Sequence, residues 1–108
     1  MNFLHKNLAA GRWQEFPLIK QMANVGSEVE RALKWKDRDE KSSQMAFDRA
    51  LELLDLTMSD PKNKKRVFEI ARVRELLCDY FFGKNEYKGS DKNWQNYFYS
   101  FAYASQQR

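Results

Sequence analysis

Arg74 is the residue whose position asks most of its surroundings. Helical spacing sets it among Val67, Ala71, Cys78 and Phe81, in the middle of an apolar stripe. A guanidinium in such a place must be paired or must reach a cleft, because an unpaired buried charge is costly. Glu28 and Glu30 on one expected helix, and Asp55 on another, are the acids that would reach it. Two readings stay open. Arg74 either forms a structural ion pair that fixes helix register, or binds an anion in an interhelical cleft with Arg72 and Tyr80 nearby. An enzyme using Arg74 with Glu28 or Glu30 is a third and more remote reading.

Other reactive side chains are few. The single histidine, His5, stands near the start of the chain with no acid placed beside it. The single cysteine, Cys78, falls on the most apolar part of its expected helix, where burial raises a thiol pKa and makes it inert. One cysteine also excludes an intramolecular disulfide and any multi-cysteine zinc site. Neither G-x-x-x-x-G-K nor G-x-G-x-x-G occurs, so no phosphate loop is encoded. Repeated Glu-x-x-His pairs, which a di-metal carboxylate bundle needs, are absent too. The sequence therefore leads to no catalytic residue, no metal and no cofactor.

Charge is unevenly shared. The chain carries +4 in total, but residues 1–60 carry −1 and residues 61–108 carry +5. Lys62, Lys64, Lys65 and Arg66 form the densest cluster, with Arg72 following. Such a cluster is either a solvated face or a site for phosphate or an acidic partner. Lysines at a helix start oppose the macrodipole, so their placement has a small local cost. Tyr99 and Tyr103, away from the expected core face of the last helix, suit a protein interface because tyrosine joins an apolar body to a polar tip. Trp35 would extend that interface or cover the loop after it.

Four helical stretches must position these groups, over about 17–36, 43–58, 61–82 and 91–105. In the first, Leu18, Ile19, Met22, Val25, Gly26, Val29, Ala32 and Leu33 share one stripe, after a proline suited to a first turn. Ser43 is the expected cap of the second, whose apolar face is Ala46, Phe47, Ala50, Leu51, Leu53, Leu54 and Met58. Asp60 and Pro61 would cap and open the third, which Gly83 ends. The third is apolar from Val67 and Phe68 to Phe82 over an arc wide enough to imply contact on more than one side. Ser90 caps the fourth, with Trp94, Tyr97, Phe98 and Phe101 on its core face.

The stretches NVGSEVERAL (24–33), ALELLDLTMSDPKNKKR (50–66), RVRELLCDYFFGKNEY (72–87) and WQNYFYSFAYA (94–104) together resemble a family of small bacterial and archaeal helical proteins without an assigned activity. The resemblance spans nearly the whole chain. It implies a compact helical bundle and carries over no catalytic residue. In outline the bundle is also similar to HEPN domains, some of which are ribonucleases. Their nuclease motif has a histidine a few residues after an arginine, whereas His5 precedes every arginine here. What that likeness leaves open is a non-catalytic, partner-binding role. Tetratricopeptide helices look similar through Phe47, Ala50 and Pro61, but the proline is misplaced and no repeat of that length exists.

With 108 residues, 43% hydrophobic and 31% charged, the chain is long enough for one core and not for two. Four Gly and two Pro are too few turns for a β-sandwich. No apolar run spans a membrane and no secretory h-region opens the chain, so the expected compartment is the cytoplasm. The expectation is thus an all-α, single-domain antiparallel four-helix bundle over residues 1–108 that is not an enzyme. It would bind a protein partner or a second copy of itself. The alternative is nucleic-acid or nucleotide-phosphate binding through the basic cluster at 62–74.

Overall fold

Pro17, with φ −67°, sets the chain for the first helix and lends its carbonyl to Gln21 N–H at 3.0 Å. α1 then runs over Leu18–Trp35. A tight turn follows, and Asp39 caps α2 (Glu40–Ser59) by accepting from the backbone N–H of Ser42 at 3.2 Å. The cap is therefore Asp39 and not Ser43. Ser43 lies inside α2, buried, and donates to the Ala32 carbonyl at 2.7 Å, which staples α2 to α1.

The third helix also departs from expectation. Pro61–Arg66 forms a 3-10 segment, and only Val67–Phe82 is α-helical (α3). Asp60 caps the segment by accepting from Lys62 N–H, as the Asp-Pro pair implies. Asn63 is drawn inward instead of continuing a solvated turn: its side-chain N–H groups reach Gln21 Oε1 at 2.8 Å and the Thr57 carbonyl at 2.9 Å. α4 spans Asp91–Gln106, and Ser90 Oγ caps it by accepting from Asn93 N–H at 3.1 Å.

The structure, a computed structural model, describes residues 11–106, and among them there are four α-helices and no strand. They form an antiparallel four-helix bundle. α1 is the central element, packed against α2 on one side and α4 on the other, while α3 leans on α2. The α1–α4 approach is close because position 26 is glycine: a Cβ there would meet Phe98 Cβ at 2.7 Å. Val25, Val29, Ala32, Phe47, Ala50, Leu54 and Leu77 fill the centre.

An element that the sequence reading did not assign precedes Pro17. A 3-10 turn, Arg12–Glu15, tucks Trp13 under α2, where it is fully buried and donates to Thr57 Oγ1 at 3.1 Å. Gln21 Nε2 bonds both the Trp13 carbonyl and Asp60 Oδ2 at 2.9 Å. Lys62 closes the network on Asp60 and on the Gln14 carbonyl. This polar cluster joins both 3-10 segments, α1 and the end of α2. Each side chain in it has partners, as burial demands.

A candidate binding cleft between α3 and α4

α3 and α4 follow each other in sequence, yet they do not close against each other as α1 closes on its neighbours. A cleft of about 380 Å³ lies between them. Val73 and Leu76 of α3 form one wall, Trp94 and Tyr97 of α4 the other, and Tyr87 and Gly89 of the connecting loop close one end. A second hollow, of about 200 Å³, lies between the start of α1 (Leu18, Ile19, Met22) and Glu69, Ile70 and Phe101, and Tyr97 borders both.

The loop is stitched rather than slack. Gly83 ends α3 in extended backbone, its N–H bonded to the Cys78 and Asp79 carbonyls. A Cβ on Gly83 would sit 2.9 Å from the Asp79 carbonyl oxygen, so close approach is what requires glycine there. The Asp79 carboxylate accepts from Glu86 N–H at 3.2 Å and Tyr87 N–H at 3.3 Å. Asn85 bonds the N–H and carbonyl of Gly89 through both side-chain atoms. Asn85 and Lys88 both have φ 53°, a left-handed conformation that asparagine tolerates and lysine adopts only when its surroundings hold it.

The result is a fixed Tyr87. Its ring lies under the Arg72 guanidinium, 4.7 Å from the centroid, and its hydroxyl donates to Glu75 Oε1 at 3.4 Å. Trp94 meets Tyr97 edge-on at 6.0 Å. Trp94 is only 8% exposed, and its indole N–H has no hydrogen-bond partner among the described residues. Burial, and to a lesser degree Glu69, pushes the Tyr97 phenol above its ordinary range, so it stays neutral.

The loop end of the same helices is latched. Lys36 Nζ donates to Asp91 Oδ1 at 2.8 Å and to the Tyr80 hydroxyl at 3.3 Å, and Tyr80 donates to the same Asp91 oxygen. Burial works against the Asp91 charge, but the hydrogen bonds from Lys36 and Tyr80 hold its pKa below the ordinary carboxylate range. The ends of α1 and α3 and the start of α4 are thus tied, which props the cleft at a fixed width.

Arg74 has its acid: Nε and Nη2 meet the two Asp55 oxygens at 2.8 and 3.4 Å. Of the three candidate acids it is Asp55 that pairs with Arg74, and Glu28 and Glu30 do not. Glu28 pairs with Arg31 at 3.2 Å, and Glu30 accepts from Gln95 at 3.4 Å. Nor is Arg74 in mid-stripe: its side chain is 36% exposed, at the edge where α3 leans on α2. The basic cluster is partly spent. Lys62 pairs with Asp60, Arg66 with Glu69 at 3.2 Å and Arg72 with Glu75 at 3.5 Å, whereas Lys64 and Lys65 are exposed and in no ion pair among the described residues.

Tyr99 and Tyr103 are exposed, and their rings stack at 6.3 Å. They point away from the cleft, since two residues of helix turn Tyr99 by about 200° from Tyr97. Trp35 is half-buried with Lys34 Nζ 5.8 Å from its ring, and it joins neither group. Cys78 is half-buried, and His5 lies outside the described residues. Among those residues no group of three or more His, Cys, Asp or Glu could hold a metal, and no helix is long and apolar enough to cross a membrane. What the sequence reading missed is Tyr87, Trp94 as a cleft wall, and Phe68. The wide apolar arc of α3 does not meet helices on more than one side as expected: α3 leans on α2 and buries only Ile70, Val73 and Leu77, and Phe68 within the arc is 90% exposed. No protein-family model, no curated protein and no solved structure matches the chain.

Proposed function

We propose that this chain is a non-enzymatic protein-interaction module whose binding face is the cleft between α3 and α4 together with its rim. The observation that carries the reading is the cleft itself, walled by aromatic side chains around an unpaired, buried indole N–H. Apolar concavities with a few fixed polar groups are where an anchor side chain docks, and tyrosine, tryptophan and arginine dominate such contacts. Phe68, one helical turn from Arg72 and 90% exposed, is a further apolar side chain on α3 outside the cleft lining. Full burial of a phenylalanine stabilises a complex by about 1.5–3 kcal/mol relative to leaving it in water.

Panning a displayed random-peptide library against the protein tests this. The expected binders carry a large apolar anchor and lose about tenfold or more in affinity on Tyr87→Ser, a change at a half-exposed ring that leaves the helical spectrum intact. Absence of binders, or binders indifferent to Tyr87 and Tyr97, would sink the proposal. Phosphate binding is the second reading, favoured by the exposure of Lys64 and Lys65. With those two cations, log affinity for duplex DNA should fall against log salt with a slope of about −2.

A further inference from the structure

We infer that the bundle carries a gate: α3 and its loop swing on α2 away from α4, and the Tyr80 hydroxyl is the pin that holds them shut. The inference concerns how the cleft opens, and it stands whether or not a protein docks there. The helices are tied in two pairs. α4 is held to α1 by the close approach at Gly26 and by Gln95 donating to Glu30 at 3.4 Å. α3 is held to α2 by Arg74 on Asp55 at 2.8 Å and by Phe81 and Phe82, whose ring centroids lie 4.5 and 4.9 Å from that of Phe47. The loop goes with α3, because Asp79 accepts from the N–H groups of Glu86 and Tyr87 and the Tyr87 ring lies under Arg72. α4 starts its own bonding at Ser90, whose hydroxyl and carbonyl accept from Asn93 and Trp94 N–H. The junction between the two units therefore falls between Gly89 and Ser90.

Few polar ties cross that seam. Among the described residues, the side-chain hydrogen bonds that join α3 or its loop to α4 or to Lys36, at the end of α1, all involve the Tyr80 hydroxyl. The rings do not bridge it either: those of α4 pair with one another, and those at the end of α3 with each other or with Phe47. Tyr80 donates to Asp91 and accepts from Lys36 at 3.3 Å. The Lys36 and Asp91 side chains are 33% and 44% exposed, so water replaces these bonds with little loss. Releasing Tyr80 leaves α4 on α1, because Lys36 still meets Asp91 directly at 2.8 Å. Gly89 lies where the seam parts: a Cβ there would stand 3.4 Å from both Trp94 Nε1 and a Tyr80 ring carbon. Opening thus widens the cleft and brings the buried Trp94 indole N–H within reach of water or of a ligand's acceptor.

Hydrogen exchange of the full chain, resolved by NMR and corrected for intrinsic rates, tests the gate. The Trp94 indole N–H should open to water at least about tenfold more often than the amides of Val25 and Leu54, which are released only when the bundle unfolds. Tyr80→Phe keeps the ring and removes the pin, so it should raise Trp94 exchange about fivefold to tenfold. Lys36→Met leaves the Tyr80–Asp91 bond and should raise it less. Asn63→Ala weakens a cluster that stays formed while the gate is open, so it should speed the Val25 and Leu54 amides and leave the Trp94 indole unchanged. Asp55→Lys disturbs the tie on which α3 swings and should likewise leave Trp94 unchanged. The gate is overturned if Trp94 opens no more often than the two amides, or follows them in Asn63→Ala. Indifference of Trp94 to Tyr80→Phe removes the pin, and faster Trp94 exchange in Asp55→Lys shows that α3 leaves α2 instead of swinging on it. Peptides selected through Tyr87 beside a seam that stays shut would keep the interaction module without the gate.

Discussion

Asn63 shows how much of this fold depends on single polar side chains. Its amide spans Gln21 and the Thr57 carbonyl within a network closed to water. Asn63→Ala leaves two buried acceptors short of a donor and should destabilise the protein by about 2–3 kcal/mol. Urea unfolding reads this as a lower midpoint with an unchanged slope. Asp60 in the same cluster brings a pH dependence. Burial opposes its charge, yet hydrogen bonds from Lys62 and Gln21 outweigh burial and hold its pKa below the ordinary 3.8. Asp91 is lowered in the same way. A carboxyl depressed in the folded state contributes stability that is fully present above its unfolded pKa and lost as pH falls through the folded one. Stability should therefore decline below about pH 3.8, and Asp60→Asn should flatten that decline in acid titrations followed by circular dichroism. Of this network only the Asp60 cap was legible in the sequence. Trp13, Gln21, Thr57, Asp60 and Asn63 are scattered over fifty residues, and polar types at irregular spacing look like solvated turns until tertiary structure brings them together.

At the scale of elements, Gly26 decides how near α4 can come to α1. Alanine is ordinarily the better helix former by about 1 kcal/mol, but a methyl group here would meet Phe98 Cβ at 2.7 Å, an atom that cannot swing aside. Gly26→Ala should lower stability by about 1–3 kcal/mol, and thermal unfolding checks the sign. A rise in melting temperature would show that the helices separate freely. The elements themselves were the most legible part of the chain. Apolar spacing identified α1 and nearly all of its buried stripe, although Ile19 proved exposed and Gln21 buried. Boundaries were poorer wherever a cap had a rival: Asp39 took the role expected of Ser43 because Ser43 was needed against Ala32. Acid partners were legible as candidates only. Three carboxylates suited Arg74 by sequence, and the lean of α3 on α2 selected Asp55. The cleft was hidden because Trp94 and Tyr97 carry the same helical spacing whether they line core or cavity.

For the molecule as a whole, burial is distributed unequally, and that should be visible in its dynamics. α1 and α2 each bury seven residues, α3 three and α4 two. The buried polar cluster adds further ties between α1, the end of α2 and the segment at Pro61–Arg66, but none to α4. Opening free energy follows local burial, so α1 and α2 belong to the slowest unit and α3 and α4 to a weaker one. Native-state amide exchange should find Val25, Val29, Leu53 and Leu54 the most protected, with the middle of α3 exchanging roughly tenfold faster or more. Equal protection in all four helices would mean that the cleft is no weaker than the rest of the bundle. An open seam of this kind is what an interaction module needs: surface held in place by the Lys36–Tyr80–Asp91 latch, yet not consumed by its own core.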